Sequence, residues 1–234
     1  MWEGAPIVDE PVLKSFIAEF IAAIARYQRL MDRHVYPPFE DIDRAAREEA
    51  QPIHNEWEAR RFEDPEDYDE GESAEHLERV GQRIYDNLFS MQTALVNLFT
   101  AGLYHSLEQQ LSAMLLHDGQ PLPQHPKPAF AAWATTALQI DVTTYPHWPQ
   151  LDELRLIANV VKHAEGNAAQ QLRALRPELF EHPLLRDPIY AGIPPAQLPV
   201  RHPLAGEGLY LIKDDFDAYV AAISGFWEWL SQVC

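Results

Sequence analysis

A single cysteine, Cys234, stands among 234 residues, so no internal disulfide can form, which agrees with a reducing compartment. No run of about 18 uncharged apolar residues occurs, which argues against a membrane-spanning helix. The opening residues MWEGAPIVDEPV lack a basic region followed by an apolar one. No signal peptide is read there, and a cytoplasmic chain is expected. Basic charge is scarce, with 18 Lys and Arg against 36 Asp and Glu and a formal net charge of −18. Residues 1–80 alone hold 21 acidic and 9 basic side chains. Such a surface repels phosphate backbones and excludes a general nucleic-acid coat, but leaves room for a local RNA site. Its plainer role is solubility. The motifs GxxxxGK[ST], GxGxxG, GxSxG, CxxC and HExxH are all missing, which removes phosphate loops, nucleophile elbows and common metal centres.

What is present is apolar mass, 47% of the residues with 11% aromatic, enough for a continuous core. Asp9, Glu10 and Pro11 form a helix start, and Val12, Phe16, Phe20, Ile24 and Tyr27 recur at helical spacing to about Arg33. Tyr36-Pro37-Pro38 ends that run. A charged helical stretch follows over about 40–61, with Pro52 as a kink or break. Residues 63–72, EDPEDYDEGE, read as an exposed acidic loop. Ser73 is a cap for the next helix and Gly119 a stop. Between them Leu77, Ile84, Met91 and Leu98 repeat every seven residues, interleaved with Gly81, Leu88, Leu95 and Gly102. This predicts a helix-packing seam on a rod of about 60 Å, long enough to bend or break. Short helices are expected over about 129–139, 151–165 and from Asn167 to near Pro177. The six prolines of 183–203 predict a long surface loop. Leu209–Ile212 is the one strand candidate, and Asp214 caps a last helix over 216–233 with Tyr219, Ile223, Phe226 and Leu230 inward. The closing Phe226-Trp227-Glu228-Trp229 packs in the core or docks a second subunit. The expected fold is all-α, a helical bundle on one long helix with a short strand or hairpin before the last helix. One domain spans 1–234, with N-terminal helices over 1–62, the acidic loop, and a bundle over 73–234.

Two polar groupings carry the chemistry. On the 151–165 helix, Asn159, Lys162 and His163 fall at about 40°, 340° and 80° from Arg155, while Leu154, Leu156, Ile157, Val160 and Val161 fill the opposite arc. This polar face lines a cleft or simply faces solvent. On the long helix the apolar seam runs into His105, followed one turn later by Gln109, and Asn97, Tyr104 and Glu108 flank it. A histidine on a core seam needs a hydrogen-bond partner, so His105 is either structural or part of a site. If the two helices pack together, Glu108 or Tyr104 can orient Arg155, Lys162 or His163. A histidine beside a cation can then deprotonate a ribose 2′-hydroxyl and stabilise the resulting phosphorane without a metal. His105, Glu108 and His163 are a weak metal alternative. His117, His125, His147, His182 and His202 lie beside prolines or in loops and have no ligand spacing.

The segment Leu154–Gly166 (LRLIANVVKHAEG) resembles the motif helix of HEPN domains, helical bundles of prokaryotic toxin–antitoxin and defence systems. The resemblance covers about 75–234, and its specific part is about a dozen residues. It implies a dimeric, metal-independent endoribonuclease or an inactive relative, with no cofactor. The family motif carries over onto Asn159 and His163. Where its arginine commonly stands, this chain has Ala158, and Arg155 is the nearest arginine, about 60° away around the helix. In this reading His163 is general base or acid, Arg155 and Lys162 hold phosphate, Asn159 orients the site, and His105 and Glu108 support it. The rival reading is a non-catalytic helical module for a protein partner, its polar cluster satisfying a buried interface.

Overall fold

The structure, a computed structural model, describes residues 10–61, 69–186, 199–204 and 207–234. Seven α-helices occur among them: α1 Glu10–Leu30, α2 Ile42–Arg61, α3 Glu70–His117, α4 Pro126–Trp133, α5 Trp148–His163, α6 Asn167–Leu175 and α7 Lys213–Val233. The fold is an all-α bundle, and none of these helices is long and apolar enough to cross a membrane.

α3 is the spine. Its 48 residues run without interruption for about 72 Å at 1.5 Å per residue, where the sequence suggested a bend or break. Asp69, not Ser73, caps it, with Oδ1 accepting from the Gly71 and Glu72 amides. At the other end Gly119 takes φ +72°, and the Gln120 amide reaches back to the Leu115 carbonyl, as expected of a glycine stop. Asp9 and residues 63–68 of the acidic loop lie outside the described residues.

The heptad seam is only partly a seam. Leu77, Ile84 and Leu88 are half-buried, but Met91 and Leu98 stand 54% and 38% exposed. A strict seven-residue repeat drifts by about 20° per heptad on a straight helix. Over this length α3 therefore offers different stripes to different neighbours. Its first half packs on α2, and Val80, Ser73 and Ala50 are buried there. From Val96 onward the buried stripe becomes Thr100, Leu103, Leu107, Leu111 and Met114, facing α4, α5, α7 and α1. α2 continues through Pro52 without a break, at a solvent-exposed position.

The core joins α1 to α7 and both to α5. Leu13, Ile17, Phe20 and Ile24 of α1 meet Phe216, Ile223, Phe226 and Trp227 of α7, with Phe130 of α4 and Leu154, Ile157 and Val160 of α5. Phe226 and Trp227 are fully buried, so this pair of the closing aromatic run belongs to the core of one chain. At Gly102 of α3 the Tyr27 side chain of α1 packs against the bare backbone. A Cβ there would lie 2.3 Å from the Tyr27 hydroxyl, which donates to the Phe99 carbonyl at 2.9 Å.

The strand expected at Leu209–Ile212 is not formed, and no strand occurs among the described residues. Leu209, Tyr210 and Leu211 are buried as their apolarity requires, but they form no strand ladder with any of the described residues. Their backbone is satisfied otherwise: Tyr210 donates to the Leu179 carbonyl at 2.7 Å, and the Leu209 carbonyl accepts from Asn97. α7 begins at Lys213, and Asp215 rather than Asp214 serves its start, accepting from the Ile212 amide at 3.0 Å.

One network locks α5, α6 and α7 together. Arg176 after α6 pairs with Glu153, Glu178 and Asp215, and Glu153 also accepts from the Tyr219 hydroxyl. Burial, then this carboxylate, hold the Tyr219 phenol far above its ordinary range. Tyr27 is pushed up to about 12 by burial. An unfolded tyrosine ionises near pH 10, so above that pH the unfolded chain loses a proton that the folded one keeps. The contribution is complete below about pH 10 and declines as pH rises, by at most about 1.4 kcal/mol per unit for each such phenol. Unfolding free energies measured between about pH 9 and 11 should fall more steeply for wild type than for Tyr219→Phe; parallel slopes would contradict the assignment.

Candidate functional site

α5 lies against the second half of α3 in antiparallel register. Asn97 shares a small cavity with Val160 and Val161, while Tyr104 and Glu108 share a cleft with Arg155 and Asp152. α5 starts with Trp148 and Pro149, where a missing amide is harmless, and its apolar residues at helical spacing seat it on the core. Arg155 and Asn159 are thereby left on the rim of the interface, and Lys162 and His163 outside it.

The cleft has a volume of about 330 Å³ and three walls. α3 contributes Tyr104 and Glu108, the first turn of α4 contributes His125, Pro126, Lys127 and Pro128, and α5 contributes Asp152 and Arg155. Tyr104 is buried and lines the cleft beside Glu108. Burial, then the Glu108 charge, push its phenol well above the usual range, with Arg155 acting the other way, so it is a neutral donor at any physiological pH. Glu108 also meets His105 Nδ1 at 3.0 Å. Arg155 leans on Asp152 with Nε 3.8 Å from Oδ1 and remains 39% exposed in its side chain.

Lys127 is the residue that sequence reasoning missed. Its side chain is 5% exposed, with Nζ 2.6 Å from Asp152 Oδ1 and 4.1 Å from the centre of the Trp148 ring. Burial lowers its pKa, and the Asp152 carboxylate works against that shift. The signal available was the PKP triplet at Pro126–Pro128, two prolines that fix a helix start around a lysine, but it read simply as punctuation. His125, set aside as a loop histidine, forms the exposed lip of the same cleft.

The sequence-derived residues therefore fall into two sets. Tyr104, His105, Glu108 and Arg155, from two helices, gather in or beside the cleft. Asn159 is half-buried one turn on, its Nδ2 donating to the Arg155 carbonyl at 3.0 Å. Lys162 and His163 are exposed at the far end of α5, with His163 about 12 Å of helix rise beyond Arg155. His105 is exposed on the rim and not enclosed in a seam. Gln109 is exposed, and the next residue, Gln110, holds the buried position instead, accepting from Trp227 Nε1 at 2.7 Å. Asn97 is buried away from the cleft, donating to the Leu209 carbonyl at 2.8 Å, with its Oδ1 unpartnered among the described residues. Among those residues no group of three or more His, Cys, Asp or Glu side chains is disposed to hold a metal ion.

α5 ends abruptly after His163. Ala164 takes φ +62° and ψ −142°, a conformation reserved almost entirely for glycine. The surroundings impose it. Glu165 is gripped by Arg173 through two hydrogen bonds of 2.9 Å, its amide donates to the Val200 carbonyl, and the Leu204 amide donates to Val161. Such a backbone costs about 1–3 kcal/mol, against about 0.5–1 kcal/mol of extra chain entropy for glycine. Ala164→Gly should therefore raise the unfolding free energy by about 1 kcal/mol; a fall in the melting temperature would contradict a strained turn.

No protein-family model matches the chain, and no curated protein and no solved structure matches it.

Proposed function

We propose that this chain is a HEPN-like helical protein whose α3–α5 face performs metal-independent phosphodiester chemistry on RNA. The observation that carries the reading is the meeting of Arg155 from the motif-like helix with Tyr104 and Glu108 from the long helix in one solvent-open cleft. Arg155 supplies the cation for a phosphate in the cleft. Asn159 donates to the Arg155 carbonyl one turn back, and Lys162 adds a second cation further along the same helix, with His163 exposed beside it. Proton transfer falls to the histidines of this face. The chain's strong negative charge confines RNA to such a local site. Purified protein incubated with mixed RNA in EDTA, across about pH 6–8 where histidine titrates, is expected to shorten it. RNA that stays intact throughout that range contradicts the reading.

A second reading, a non-catalytic module for a protein partner, is favoured by one observation. Met91 and Leu98 are exposed on α3, on a helix that also carries His105. In that case substitution at Met91 and Leu98 weakens partner binding, while Arg155→Ala leaves RNA untouched.

A further inference from the structure

Cleavage of RNA by its own 2′-hydroxyl needs two proton transfers, one from the attacking oxygen and one to the leaving oxygen. The motif-like helix offers His163, about 12 Å of helix rise from Arg155, too far along α5 to serve a phosphate held there. His125 lines the cleft itself, and His105 touches one of its lining residues, Glu108. His105 Nδ1 meets Glu108 Oε2 at 3.0 Å, and Glu108 lines the cleft beside the buried Tyr104. A carboxylate on Nδ1 keeps the proton there and leaves Nε2 as the basic nitrogen, the arrangement of an oriented general base. The His105 side chain is 46% exposed, so that nitrogen can be reached. His125 stands on the α4 lip, and its position is fixed because Lys127 two residues on is tied to Asp152 and Trp148 of α5.

We infer that His105 and His125 are the proton-transfer pair of this site, acting on a single-stranded RNA phosphodiester held by Arg155. This rests on the ribonuclease reading above and goes beyond the motif-like helix. His105 Nε2 takes the proton of the ribose 2′-hydroxyl, and the 2′-oxygen forms its bond to phosphorus. Arg155 faces the negative charge of the five-coordinate phosphorane. The bond from phosphorus to the 5′-oxygen breaks, and that oxygen receives the proton of the His125 imidazolium. The products are a 2′,3′-cyclic phosphate and a 5′-hydroxyl, and the two imidazoles regain their starting states by exchange with water. A single strand is required because the 2′-oxygen, phosphorus and 5′-oxygen must come into line, which a duplex prevents. The charged and titratable groups lining the cleft with His125 are Glu108 and Tyr104 on α3, Asp152 and Arg155 on α5, and Lys127 on α4, and His105 meets the first two of these. Glu108 is a positioning residue.

The test uses a DNA oligonucleotide containing one ribonucleotide, with EDTA present, and its analogue with sulfur in place of the 5′-oxygen. His105→Ala should lower kcat on the order of 100-fold or more and remove the acidic limb of the pH profile, on both substrates. His125→Ala should lower kcat similarly on the oxygen ester, yet return to within about tenfold of wild type on the sulfur analogue, because a thiolate leaves without a proton. Glu108→Gln should cost on the order of tenfold in kcat and shift the acidic limb, while His163→Ala raises KM and keeps the limb. His105 and His125 are exposed, so both variants should melt with the wild type. Wild-type protein that leaves RNA intact overturns the ribonuclease reading and this inference with it. Wild-type cleavage with unchanged kcat and pH profile in His105→Ala, or a His125→Ala defect that sulfur does not relieve, overturns the inference alone.

Discussion

Trp227→Ala is expected to remove about 3–5 kcal/mol of folding free energy through lost burial and the cavity left behind. The indole is fully buried at the crossing of three helices, with ring centres 4.9 Å from Phe20 of α1, 5.0 Å from Phe226 of α7 and 6.1 Å from Phe130 of α4. Its Nε1 donates to Gln110 Oε1 at 2.7 Å, and Gln110, 6% exposed, donates in turn to the Phe20 carbonyl. Removing the indole therefore also strands a buried amide oxygen, adding about 1–3 kcal/mol. Domains are commonly stable by about 5–15 kcal/mol, so the variant should sit near the edge of folding. Trp227→Phe keeps most of the ring and loses mainly the hydrogen bond, and should cost roughly a third as much. Urea titrations of the three proteins separate these cases. A Trp227→Ala loss below about 2 kcal/mol would mean that α1, α4 and α7 do not converge on this ring.

The helical architecture was legible because amphipathic spacing and stop signals are local. Ile24 on α1 and Phe226 on α7 sit on inward faces read from period alone, and Gly119 ends α3 in the left-handed conformation that such a stop requires. The failures are places where a neighbour decides. Leu209–Leu211 has the composition of a strand, but a strand exists only with a partner, and here Asn97 and the Leu179 carbonyl take its backbone bonds. Pro52 reads as a kink or a break, and the helix does not break there, because a helix packed on α3 can carry an exposed proline. Met91 and Leu98 fit the heptad but not the straight helix that carries it, so they ended outside.

The cleft was partly legible. Tyr104, Glu108 and Arg155 were singled out as polar groups on two helices that would face one another, and the antiparallel register brings them to the same cleft. The separation of His163 from Tyr104 and Glu108 is a matter of that register, which no single-helix projection contains, whereas its distance from Arg155 is simply eight residues of rise along α5. Lys127 and His125 escaped because their approach depends on where the first turn of α4 meets Asp152 and Trp148 of α5, and nothing in the PLPQHPKP stretch encodes that destination. Position along a neighbour is a long-range property; periodicity describes only which side of its own helix a residue occupies.

Arg155→Ala carries the second large expected effect. A cation aimed at the charge that develops on phosphorus acts most strongly in the transition state, and losing one such group costs on the order of 10²–10³ in rate. Arg155 is well placed for this: its guanidinium is held near Asp152 yet stays 39% exposed at the mouth of a cleft that also holds Tyr104 and Glu108. Arg155→Lys keeps the charge without the planar fork and should recover only part of the loss. The guanidinium makes only one long ion pair, 3.8 Å to Asp152, on a partly exposed side chain, so stability should change by about 1 kcal/mol or less. The decisive measurement is single-turnover cleavage of a short single-stranded RNA in EDTA by wild type, Arg155→Lys and Arg155→Ala at matched fold. A graded fall reaching on the order of 100-fold in the alanine variant is the predicted result. Equal rates in all three proteins would show that the α3–α5 cleft is not where the RNA phosphate is handled.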